Sequence, residues 1–392
     1  MNDLLIAYDL KLTTIKMIQE KAYWLAWLQI KGIGAVLLNR LYQHFGNLDK
    51  AWKASPQELA KVEGFGIKII EQIKAQRNNI NPQQLLESHL KNNPHFWTPA
   101  DHKYPTLLLE IPSPPPLLYY RGIVDLKENI GRKPAIAIVG TRYPTKYGRD
   151  WTKRIAYTLV KQGFTIVSGM AAGIDAEAHS ACLSAGGRTI AVLGTGVDTI
   201  YPHSNTQLYH KIAQQGLILS EYPAGTKPDR KNFPPRNRII AGLSRAVLIM
   251  EAPRRSGALI TARYANEFCR DVYVLPGSLN NSQAIGCLNL LNKGAHVILG
   301  ETELLEMLAI MPKLDIKPVE TAKEQVIQPK LPLPELEPKL AQIIQAINDD
   351  SSSLEAIAQK TNLDTGTLLA SLSQLELMGL ISQLPGMRYQ VN

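Results

Sequence analysis

The chain has 392 residues, 45% of them apolar and 20% charged, which predicts a folded protein of about two to four domains. No apolar run approaches the ~18–20 residues of a membrane-spanning helix. The start MNDLLIAYDLK lacks the parts of a secretory signal, and Cys182, Cys269 and Cys287 stand far apart without a CxxC, which argues against a disulfide scaffold or zinc ribbon and for a reducing cytoplasm. The net charge of +9 is uneven: residues 130–300 carry 21 Lys and Arg against 9 Asp and Glu, whereas 301–337 and 338–392 are acidic. A basic segment suits a polyanionic partner or merely a well-solvated surface, and composition leaves both open.

Residues 1–20 show no strong pattern. From Tyr23 to Arg77 apolar side chains recur at helical spacing, broken by two similar turns, Ile30-Lys31-Gly32-Ile33-Gly34 and Val62-Glu63-Gly64-Phe65-Gly66. Their glycines repeat at a spacing of 32 residues, so 1–84 reads as an all-helical unit with an internal repeat. Such turns either hold a phosphate on backbone N–H groups or simply pack helices. Seven prolines between Pro94 and Pro116 predict extended, loop-like chain, because proline lacks a donor N–H and fixes φ.

From Ala135, short apolar runs alternate with segments of helical length: AIAIV (135–139), FTIVS (164–168), TIAVL (189–193), LILS (217–220), AVLIME (246–251) and VYVLP (272–276). This predicts βαβ units, and over residues 85–311 a Rossmann-like, doubly wound, mostly parallel α/β sheet with helices on both faces. Residues 312–338, with six prolines and an acidic excess, predict a linker. Three short helical patterns and the tail ISQLPGMRYQVN predict a winged helix over 339–392. Ser352 with Glu355 fits a capping box, and Asp364 opens the last helix. That helix has no Lys or Arg up to Met378, which argues against reading a duplex groove and for a protein contact.

Ligands of doubly wound sheets bind at the carboxyl ends of the strands, so the loops there hold the candidate site. The first strand ends in Gly140-Thr141-Arg142, where Arg142 offers a forked cation beside a helix N-terminus. The second ends in Ser168-Gly169-Met170-Ala171-Ala172-Gly173-Ile174-Asp175. Its Ser168, Gly169 and Gly173 suit a backbone nest for phosphate, or alternatively a tight helix–sheet contact. Neither a Walker A ending nor GxGxxG is present, which disfavours an ordinary nucleotide site. After the fourth strand, Lys227, Arg230, Lys231, Arg236 and Arg238 fall within twelve residues around Phe233. Cations grip phosphates and an aromatic ring stacks a base. Arg254 and Arg255 with the following Ser256 and Gly257 are a further candidate phosphate contact, and Ser256 also suits a helix N-cap. His179 and His203 lack an acid–base partner, and no metal-ligand cluster or cofactor motif is present.

The motifs SGMAAGID (168–175), GTGVDTIYPHSN (194–205), FPPRNRIIAGLS (233–244) and SGALITARYANEFCRDVYVLPG (256–277), in that order, resemble the DprA (Smf) family of bacterial DNA-processing proteins. Ala284 departs from the serine expected in that pattern. The resemblance implies a non-enzymatic, cytoplasmic homodimer that binds single-stranded DNA, protects incoming strands, and loads RecA in natural transformation while displacing single-strand-binding protein. It implies phosphate contacts from Arg142, the 168–175 loop, and Lys227 or Lys231, with Arg236 and Arg238 either contacts or structural. The competing expectation is a Rossmann-like enzyme cleaving nucleoside monophosphates, with Asp175 or Glu251 as base. A transcriptional regulator acting through the winged helix is disfavoured by charge.

Overall fold

The computed structural model describes residues 19–309, 338–347, 352–361, 363–377, 380–384 and 388–391. The chain divides into two compact units, Met1–Val319 and Glu320–Asn392.

The first unit opens with helices α1 (19–28), α2 (Ala35–Phe45), α3 (Leu48–Lys53), α4 (Pro56–Leu59), α5 (Ile67–Gln76) and α6 (Pro82–Asn92). The internal repeat is visible in the backbone. Gly32 and Gly64 take φ of +93° and +90°, and Gly34 and Gly66 are the N-caps of α2 and α5. A side chain is strained at such φ, so each turn needs its first glycine. Trp24, Trp27, Leu38, Leu41 and Ile73 fill the core. Helix α6 crosses the expected boundary at residue 84.

The proline-rich lead-in is more ordered than loop-like chain. It contains β1 (Phe96–Trp97), the short helix α7 (Thr106–Leu109), β2 (Leu118–Gly122) and α8 (Leu126–Asn129). Prolines 112–116 end just before β2, and the strand LYYRG contains none. Phe96, Leu117 and Tyr119 belong to the core of the helical unit, so these strands join it to the sheet.

Seven parallel strands follow: β3 (Ala135–Val139), β4 (Thr165–Ser168), β5 (Thr189–Leu193), β6 (Leu217–Ser220), β7 (Ala246–Ile249), β8 (Asp271–Val274) and β9 (His296–Val297). The sheet order is β1-β2-β6-β5-β4-β3-β7-β8-β9, with β1 and β2 antiparallel at one edge. The six apolar runs are the first six of these strands, buried on both faces as a parallel sheet covered by helices requires. Helices α9 (Lys146–Lys161), α10 (Ile174–Ser184), α11 (Thr206–Gln215), α12 (Phe233–Leu243), α13 (Ala258–Glu267), α14 (Ile285–Leu291) and α15 (Glu301–Ala309) connect or follow them. Ile239, Ile240, Ala258 and Ala262 pack on one face, and Ile155, Leu159, Ala178 and Leu304 on the other. The chain steps outward from β3 through β4, β5 and β6, then returns to β7 on the other side of β3. That reversal opens a crevice at the carboxyl ends of β3 and β7.

The second unit contains α16 (Pro338–Ala346), β10 (Ser352–Ser353), α17 (Leu354–Thr361), α18 (Thr365–Leu377), β11 (Ile381–Leu384) and β12 (Arg388–Val391), with strand order β10-β12-β11. Ile343, Ile357, Leu368, Leu372, Leu375 and Ile381 form its own core. Asp364 caps α18, accepting from the N–H groups of Gly366 and Thr367. Ser352 pairs with Tyr389 in β10, and α17 starts at Leu354; the side chains of the expected capping box lie outside the described residues. The linker expected over 312–338 lies outside the described residues, apart from Pro338.

Candidate nucleic-acid interface

The crevice at the switch point is an open cleft of about 560 Å³. The β3–α9 loop supplies Thr141, Arg142 and Tyr143; Arg230 and Phe233 come from the chain entering α12; Arg255, Ser256 and Gly257 come from the turn before α13. Arg142, Arg230 and Arg255 are exposed, and no ion pair among the described residues engages them.

Around the cleft, polar groups are tied to one another. The side chain of Glu251, at the end of β7, accepts from Thr145 N at 2.8 Å and Thr145 Oγ1 at 2.7 Å, and from Asn281 Nδ2 at 3.1 Å. Thr141 N donates to the Glu251 backbone oxygen, and Thr141 Oγ1 to Gln283. A Cβ on Gly148 would meet the Glu251 carboxylate. Asp175 is buried and accepts from Gly169 N at 3.1 Å. Burial pushes its carboxyl up, against the pull of Arg236 and the backbone donors. Both carboxylates considered as catalytic bases thus accept hydrogen bonds from within the protein. Asn205 donates to the carbonyls of Met170 and Ala171 and fixes the β4–α10 loop.

The sequence-predicted residues separate into three groups. Arg142, Ser256 and Gly257 line the main cleft, and Gly169 lines its narrower end with Arg142, Tyr201 and Phe233. Arg236 also lines the cleft, but from below. It is 5% exposed and donates through Nη1 to the carbonyls of Gly169 and Val192. Burial lowers its pKa to about 10, so it stays charged at neutral pH and places positive potential under the floor. Lys227 and Lys231 are exposed on the loop before α12, outside the cleft lining.

The other predicted residues have internal partners. Arg238 is 7% exposed and clamps Glu221 through two hydrogen bonds of 2.7 Å, away from the cleft. Ser168 is fully buried and donates to the Ile138 carbonyl, joining β4 to β3. Gly173 has φ of +81°, and a Cβ there would meet the Thr141 carbonyl oxygen at 2.4 Å, so a glycine is needed to seat the Arg142 loop. Ser256 accepts from Ala258 N, one residue earlier than an N-cap, which falls on Gly257. Ala284 is buried against Gly277, whose added Cβ would meet it at 2.5 Å, so the position takes a small residue.

The sequence reading missed Tyr143 and Tyr201, which are 83% and 37% exposed at the cleft. Tyr201 lies 5.5 Å from Phe233, centroid to centroid. Phe233 is half-buried over Gly194 and forms a wall of the cleft rather than part of the interior. The usable signal for Tyr143 was its place next to Arg142 in a strand-to-helix turn.

Positive rim groups and aromatic walls thus meet at the switch-point cleft of a Rossmann-like sheet. Comparison with known proteins assigns the chain further. Residues 95–309 match the model of the DNA recombination-mediator protein A family, and the chain belongs to that family. Residues 26–78 match a SAM-like helix-hairpin-helix tandem, and 328–387 the DprA winged helix domain. The chain is 56% identical to Protein Smf of Synechocystis over 95% of its length and 98% of that protein. It is 43% identical to DNA processing protein DprA of Streptococcus pneumoniae over 57% of this chain and 78% of that one. The X-ray structure of the Streptococcus pneumoniae DprA covers 73% of this chain and 97% of its own at a TM-score of 0.64 and 34% identity.

Proposed function

We propose that this chain is a non-enzymatic recombination mediator that binds single-stranded DNA in the switch-point cleft. The observation that carries this reading is the juxtaposition of Arg142, Arg230 and Arg255 with the exposed rings of Tyr143 and Tyr201 on one open cleft. Cations match the phosphates of a flexible strand and the rings match its unpaired bases, which a duplex keeps stacked inside. The nucleotide-cleaving alternative loses its support, because Asp175 and Glu251 are held by internal hydrogen bonds.

Family membership supports the finer reading. The protein acts in the cytoplasm as a homodimer, protects incoming strands, displaces single-strand-binding protein and loads RecA in natural transformation. The test is RecA filament assembly on a strand already covered by single-strand-binding protein. Addition of this protein shortens the lag before RecA ATP hydrolysis, and Arg142→Ala abolishes the effect. An unchanged lag contradicts the loading role.

A further inference from the structure

Helix α9 begins at the rim of the cleft, three residues after Tyr143, and runs back along the outside of the sheet layer. Its inner face buries Ile155, Ala156 and Leu159. Among its exposed positions five are Lys or Arg and one, Asp150, is acidic. Tyr147 and Tyr157 are 42% and 52% exposed on the same surface. Lys153 and Arg154 are balanced by Glu177 and Glu301, but no described ion pair engages Arg149 or Lys161. Lys161 Nζ lies 5.1 Å from the Tyr157 ring centroid, and Arg154 lies 4.3 Å from that of Trp151.

A helix solvated for its own sake interleaves acids with its bases at i+4 spacing. Here one acid, Asp150, stands among five bases, and Lys161 lies over the exposed Tyr157 ring, so cations beside rings continue the pattern of the cleft. At 16 residues it is about 24 Å long, enough for several nucleotides.

We propose that α9 is a second segment of the strand-binding interface. A single strand leaving the cleft past Tyr143 follows this helix, with phosphates on Arg149 and Lys161 and a base against Tyr157. The proposal rests on the single-strand reading of the cleft. An acidic protein segment would satisfy the cations but leave the rings without a matching partner.

The test measures binding of the full chain to oligothymidylates of about 6 and about 16 nucleotides, the lower bringing the cleft alone into play. The double variant R149Q/K161Q should bind the short strand as the wild type does. On the long strand it should be about tenfold weaker or more, with the salt slope lowered by about 1.4, two phosphates' worth. Tyr157→Ala should weaken the long strand several-fold and leave the slope unchanged. Unaltered long-strand affinity and slope in the double variant would overturn the α9 segment alone and turn attention to an acidic protein occupant. Equal losses on both strands would also overturn it, since the effect would then act through the cleft or the fold. A wild type that binds neither strand would overturn the cleft reading, and the α9 segment with it.

Discussion

Arg142 is exposed at the cleft rim and makes no ion pair among the described residues, so its removal exposes no buried partner. Arg142→Ala should change stability by about 0.5 kcal/mol or less while weakening single-strand binding; thermal melts beside a titration separate the two effects. His179 presents the opposite case. It is fully buried, with Nδ1 2.7 Å from Thr189 Oγ1, and burial pushes its pKa from 6.5 down to about 3. Below pH 6.5 the unfolded chain takes up a proton that the native imidazole refuses. This contribution is therefore intact above pH 6.5 and is lost as pH falls toward 3, at up to about 1.4 kcal/mol per unit. His179→Gln keeps a polar partner for Thr189 and should show a smaller fall in Tm between pH 7 and pH 5 than the wild type. Equal falls would contradict the neutral buried imidazole. At this scale the sequence showed which cations cluster but not which way they face. Arg236 and Arg238 are separated by one residue from each other, and Arg236 by only four from exposed Lys231, yet α12 turns both inward.

The loops between elements are set by contacts that sequence spacing does not encode. Gly173 illustrates this: the sequence offered it as part of a phosphate nest, and the structure adds that a Cβ there would collide with the Arg142 loop. Gly173→Ala should cost more than about 1 kcal/mol and also impair binding, because the added methyl displaces Thr141 and Arg142. Gly163→Ala is the control. Its φ is +81° with nothing within 4 Å of the added Cβ, so it should lose about 1 kcal/mol from backbone strain and keep full binding. If both variants bind alike, Gly173 does not position the loop. The parallel strands β3 to β8 were legible because each is an unbroken apolar run buried on both faces. β1, β2 and β9 were not: they are short or follow prolines, and they become strands only through pairing with a neighbour.

Over the whole molecule, charge divides the chain between a basic central segment and an acidic C-terminal one. The second unit has its own core, and α18 carries no Lys or Arg. Deleting residues 320–392 should leave the remaining chain folded and its single-strand affinity within about twofold, since those residues carry more Asp and Glu than Lys and Arg and so oppose a phosphate grip. A large loss in a folded truncation would assign the winged helix a DNA contact.

The central claim, that the cleft grips the phosphates of an unpaired strand, is tested most directly by a salt series. Affinity for a labelled single strand is measured against a duplex of equal length, for the wild type and Arg142→Ala. The account predicts tight single-strand binding, much weaker duplex binding, a steep fall of log K with log salt, and a slope lower by about 0.7 in the variant. Equal affinity for both forms at moderate salt, or a variant with the wild-type slope and affinity, would contradict it.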